Sequence, residues 1–206
     1  MQGRTRRFPS VTLSIAGLAL ALQATPTAFQ DLLIYDRQAV LRGEFWRLWS
    51  GHLVHFSAGH LGWNLLVVGL AGTWIERAAF RGSGWFALFA PPAISVALLI
   101  GDPALRFYGG LSGLATAAVA FACASEWRLG TSPRALWLAA LVGIGMKIAW
   151  EYHSGSSMFS RYTGADVRTV PLAHFSGACL GLAFGLFGGG KRAGLPDETP
   201  DEMAPR

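Results

Sequence analysis

Apolar residues fall into six runs, at about 9–29, 59–78, 84–101, 111–127, 134–152 and 170–188, separated by polar, glycine and proline residues. A helix needs about 17–25 mostly apolar residues to cross a bilayer. The pattern therefore predicts an all-α membrane protein, a bundle of six transmembrane helices. The first run is the weakest, because Gln23, Thr25 and Pro26 interrupt it, and the fourth is short and starts directly after Gly109-Gly110. Residues 30–58 form a long loop whose Trp46, Trp49 and Phe56 suit the membrane interface. The chain divides into 1–39, a basic N-terminus with the first helix, 40–188, the core, and 189–206, a polar tail with a disordered composition. No repeat of the kind that builds inverted-repeat transporters is found.

Composition strengthens the membrane reading. Charged residues make up 14% of the chain and hydrophobic residues 52%, where soluble domains carry about 25% charged residues. The net charge of +5 does not point to nucleic acid, because the basic residues sit at the ends of apolar runs, as Arg4, Arg6 and Arg7 do. With a cytoplasmic N-terminus, ten basic residues lie inside and six outside, which agrees in sign with the positive-inside rule. Both termini are then cytoplasmic. Cleavage of a signal peptide after Ala24 or Ala28 would place Leu22 or Pro26 at the −3 position, so the first span is expected to be retained. Cys123 and Cys179 lie within apolar runs and read as packing residues.

Polar residues within spans are costly and mark functional candidates. Gly109-Gly110-Leu111-Ser112-Gly113 puts a serine at a loop-to-helix junction, where free N–H groups and the positive helix end suit an oxyanion. The plainer alternative is an N-cap serine after a glycine turn. His174 precedes Gly177, Gly181 and Gly185, whose spacing of four makes a smooth stripe on one helix face. The stripe admits a closely packed partner, naturally the Gly- and Ala-rich fourth span, and brings the imidazole toward that helix. A serine hydroxyl needs such a base. His60 and Asn64, four apart, share one face of the second span; they suit either an oxyanion hole or interhelical hydrogen bonding. Lys147 and Glu151 form an i, i+4 pair, structural by default and substrate-contacting as the alternative. His52, His55 and His60 lack the HExxH pattern and acidic or cysteine neighbours at ligand spacing, so no metal is expected.

Taken in order, Trp46-Arg47, His55-Phe56-Ser57, His60-x-x-x-Asn64, Gly110-Leu111-Ser112-Gly113 and Ala173-His174-x-x-Gly177-x-x-x-Gly181 resemble the rhomboid intramembrane serine proteases over about residues 40–188. The resemblance implies a six-helix rhomboid-like fold with a cavity open to the outer face. It implies Ser112 as nucleophile and His174 as general base, without metal or organic cofactor. It implies an oxyanion hole from His60, Asn64 and the Ser112 backbone, with Trp46 and Arg47 supporting the fold. Phe45-Trp46-Arg47-Leu48, Tyr108 to Gly113 and Lys147-x-x-Trp150-Glu151 are similar to the rhombosortase branch, although Leu-Ala-Thr-Ala follows Ser112-Gly113 where many rhombosortases have a histidine. That branch implies a bacterial inner-membrane enzyme in contact with lipid. Its partners would be exported transmembrane proteins whose C-terminal tails join Gly-Gly, an apolar helix and a basic cluster. A catalytically silent, client-binding rhomboid-like protein and a small transporter are the rival readings.

Overall fold

The computed structural model describes residues 8–130, 132–156 and 169–188. The arginines before Phe8, the loop basic residues Arg161 and Arg168 and the tail after Gly188 lie outside the described residues.

Helix α1 (Ser10–Gln23) begins without a side-chain cap of its own. Glu76 supplies one from another helix: its carboxylate accepts from the Val11 and Thr12 amides at 3.1 and 2.7 Å, and from the Thr12 hydroxyl at 2.6 Å. Pro26 then starts a separate short helix, α2 (Thr27–Asp31). The loop continues through β1 (Tyr35–Asp36), α3 (Arg37–Leu41), α4 (Arg47–Ser50) and a 3-10 turn, Gly51–Leu53.

The long helices follow: α5 (Ala58–Ala78), α6 (Ser83–Gly101), α7 (Ser112–Leu129), α8 (Arg134–Ser154) and α9 (Pro171–Ala183), which runs on as a π-helical turn, Phe184–Gly188. Between α6 and α7, β2 (Phe107–Tyr108) pairs antiparallel with β1, with Tyr35 opposite Tyr108. This two-residue ladder is a small departure from the all-α expectation.

Pro91 and Pro92 lie inside α6. Pro92 has no N–H, so the Leu88 carbonyl loses its partner within the helix. The Trp49 indole fills that vacancy at 3.0 Å, and His52 Nε2 donates to the Pro91 carbonyl at 2.8 Å. The proline pair thereby becomes a dock for the first loop. Arg47 holds the other side of that loop, donating to the Asp31 and Ile34 carbonyls at 2.8 and 2.7 Å and pairing with Glu44. Trp46 donates to the Leu32 carbonyl at 3.1 Å.

Helix α7 is the centre of the bundle, with thirteen of its eighteen residues buried. The glycine stripe of α9 packs straight onto it. A Cβ added at Gly177 would collide with the Gly113 carbonyl, one at Gly181 with the Ala117 carbonyl, and one at Gly185 with Ala124. Cys123 is buried, Cys179 is exposed, and both are unpaired.

The structure matches the expected six spans in part. Among the described residues, Ser83–Gly101, Arg134–Ser154 and Pro171–Gly188 are long and apolar enough to cross a membrane. A fourth crossing follows if Arg47–Leu53 and Ala58–Ala78, bent by 102°, count as one broken span. The expected first span stops at Gln23, and its 14 residues rise only about 21 Å against a hydrocarbon core of about 30 Å. The fourth is lowered in hydropathy by Thr116, Ser125, Glu126 and Arg128, which a helix surrounded by other helices can carry. Six helices do stand at the six predicted positions. The protein is mostly helical and an integral membrane protein.

Candidate active site

The turn ahead of α7 is held from three sides. The Tyr108 hydroxyl donates to the Gly110 carbonyl at 3.2 Å, and the Gly110 amide donates to the Gly51 carbonyl at 3.2 Å. Gly110 adopts φ +115°, and a Cβ there would run into the His60 ring, so the position requires glycine. The Leu111 amide donates to His55 Nε2 at 3.2 Å, while His55 Nδ1 donates to the Leu53 carbonyl at 3.1 Å. These two bonds fix the His55 tautomer. Burial lowers its pKa to about 4, which preserves the Nε2 acceptor at neutral pH.

Ser112 is the first residue of α7; Leu111 occupies the N-cap position, and the helix has no side-chain cap. The serine therefore does not do the work of an N-cap. At the start of a helix, the N–H groups of Ser112, Gly113 and Leu114 have no acceptor within the helix. Ser112, His60 and His174 line one cavity of about 790 Å³, together with Phe56, Arg106 and Thr169. Asn64 lies one turn further along α5, buried, and its Nδ2 has no hydrogen-bond partner among the described residues. The other polar candidates are occupied locally: Thr116 donates to the Ser112 carbonyl at 2.9 Å, and Ser176 to the Leu172 carbonyl at 2.8 Å.

His174 is 5% exposed. Its Nδ1 donates to Glu151 Oε2 at 2.6 Å, and its Nε2 has no partner among the described residues. Lys147 Nζ donates to both Glu151 oxygens at 2.8 Å and lies 3.1 Å from His174 Nδ1. The Glu151 contact is missing from the sequence reading, which treats Lys147 and Glu151 as a pair by themselves. A signal for it exists. Glu151 stands three residues before the end of α8 and His174 three residues after the start of α9. Consecutive antiparallel helices bring such positions to one depth.

Trp46 and Arg47 belong to the frame of the first loop and do not line the cavity. Among the described residues, no group of three or more His, Cys, Asp or Glu side chains could hold a metal ion.

An apolar helical bundle around a cavity with a serine and a histidine on its wall defines the class, a membrane protein with polar side chains gathered at one open cavity. The Rhomboid domain matches residues 42–191, and the chain belongs to the rhomboid family, whose members are generally intramembrane serine proteases. No curated protein matches the chain.

Proposed function

We propose that this protein is an intramembrane serine endopeptidase in which Ser112 attacks the substrate carbonyl and His174 takes up and returns the proton. One observation carries this reading: Ser112 and His174 line the same cavity, and His174 Nε2 has no partner among the described residues. No bond joins the two side chains in the free protein, and catalytic hydrogen bonds often tighten only when substrate binds. His60, Asn64 and the N–H groups at the start of α7 supply the oxyanion donors. The unpaired Asn64 Nδ2 supports that role, because a buried donor without an acceptor is costly unless a ligand meets it.

The chain then crosses a bacterial inner membrane six times, with both termini cytoplasmic and the cavity facing outward. Its substrates are exported proteins anchored by a C-terminal Gly-Gly, apolar helix and basic cluster, as for rhombosortases. The test is co-expression with such tailed proteins, reading the substrate C-terminus by mass spectrometry. Processing by wild type and none by Ser112→Ala is the expected result; equal processing by both would end this reading.

A further inference from the structure

Glu151 is the only buried residue of α8, in a helix that otherwise presents most of its length outward. That single buried side chain is the one that meets His174. Its oxygen stands 2.6 Å from Nδ1, a distance that requires a proton between the two atoms. Lys147 donates to both oxygens of the same carboxylate at 2.8 Å, so Glu151 is an ion-paired acceptor and the proton belongs to the imidazole. A ring protonated at Nδ1 carries its lone pair on Nε2, an atom without a partner among the described residues.

The opposite arrangement is also geometrically available and shows what Glu151 prevents. Lys147 lies 3.1 Å from Nδ1 and would donate to it if Glu151 were absent. The ring would then carry its proton on Nε2, and it could not accept one from a serine. Lys147 does not line the cavity, so it does not compete as the base for Ser112.

We infer that Glu151 is a positioning residue for the proposed reaction, holding His174 in the Nδ1–H tautomer and extending the Ser112–His174 pair into a carboxylate-assisted triad, with Lys147 orienting the carboxylate. This rests on the protease reading. In the reaction, Ser112 Oγ forms a bond to the substrate carbonyl carbon and its proton passes to Nε2. The resulting imidazolium keeps its Nδ1–H on Glu151. When the C–N bond breaks, the Nε2 proton leaves with the amine and the neutral ring is restored. Glu151 itself stays unprotonated, stabilising the imidazolium, as the acidic member of a serine triad does.

The experiment measures reaction of a fluorophosphonate probe with full-length protein in detergent micelles, comparing wild type, Glu151→Gln, Glu151→Asp and the double variant Lys147→Met/Glu151→Gln. Glu151→Gln is expected to label Ser112 to the same final fraction, at a rate at least 10-fold lower, when measured well below its thermal midpoint. Glu151→Asp, which restores the charge, should recover part of the rate. The double variant avoids a buried unpaired lysine and should be as slow as Glu151→Gln, which covers misfolding of the single change. Labelling of Glu151→Gln at the wild-type rate overturns the inference. So does a loss confined to the labelled fraction and the thermal midpoint, since a structural ion pair would act in that way. Absence of labelling at Ser112 in wild type overturns the protease reading itself and takes this inference with it.

Discussion

His55 Nε2 accepts the Leu111 amide at 3.2 Å, one residue ahead of Ser112, while its Nδ1 is tied to the Leu53 carbonyl. The ring thus clamps the start of α7 to the first loop. His55→Ala should leave the buried Leu111 N–H unpaired, at a cost of about 1–3 kcal/mol. It should also slow labelling of Ser112 at least severalfold, because the serine loses its fixed approach. A variant with wild-type thermal midpoint and labelling rate would remove the clamp from the account.

The same ring sets a pH dependence. His52 and His55 are buried in the first loop, and desolvation lowers the pKa of each to about 4. Their unfolded value is 6.5. The unfolded chain therefore takes up protons first as pH falls. Their contribution is complete above about pH 6.5 and is lost between 6.5 and 4, by up to about 3 kcal/mol per histidine. Thermal midpoints in micelles should fall clearly from pH 7.5 to pH 5. His52→Gln and His55→Gln should each flatten that dependence, and a slope that survives both changes would assign it to other groups.

The glycine stripe of α9 gives a packing prediction. Gly181 meets the Ala117 carbonyl so closely that no Cβ fits. Gly181→Leu should push α9 away from α7, lowering the thermal midpoint and the labelling rate together. His174 rides on α9, so any retreat of that helix carries the imidazole from Ser112. Normal stability in this variant would contradict the close α7–α9 contact.

Much of this architecture is legible in the sequence because membrane helices write themselves as apolar runs. Ser112, His174, His60 and Asn64 stand out for the complementary reason, that polar groups are scarce within such runs. The first span is read too long, since its run of apolar residues continues past Gln23 while Pro26 restarts the chain as a separate helix. Glu76 capping α1 is invisible for a different reason, and Glu151 meeting His174 shows only in the matched depth of consecutive helix ends. Both join residues from different helices, and periodicity along one helix carries no information about what its neighbour presents. The pairing of Trp49 with the carbonyl that Pro92 leaves open belongs to the same class.

Asn64 separates an oxyanion donor from interhelical hydrogen bonding. Its Nδ2 already lacks a partner among the described residues, so replacing it with an apolar side chain of similar volume loses no bond from that atom. Asn64→Leu should keep the thermal midpoint or raise it, while turnover falls by roughly 10–1000-fold. His60→Ala should also reduce turnover without abolishing it, because backbone donors at the start of α7 remain. Ser112→Ala and His174→Ala should instead lose activity by several orders of magnitude. Full turnover with a lowered midpoint in Asn64→Leu would make this residue interhelical glue.

The last prediction concerns what enters the cavity. A transmembrane substrate arrives as a helix whose backbone hydrogen bonds are all internal, whereas a serine nucleophile requires an extended, accessible peptide bond. Unwinding is easiest at glycine, which is less favourable than alanine in a helix by about 1 kcal/mol. A Gly-Gly pair at the outer end of a substrate helix would therefore open first, and under the proposed topology Ser112 stands at that depth. A basic cluster beyond the helix holds the other end in the cytoplasm, which presents the glycines outward. Replacing both glycines with leucine should slow cleavage strongly, while lengthening the basic tail should change it little. Mass spectrometry of the released protein would locate the cut at or beside the Gly-Gly. If the leucine version were cut as fast as the original, the rhombosortase-like specificity would fall, and a less selective rhomboid protease would stand in its place.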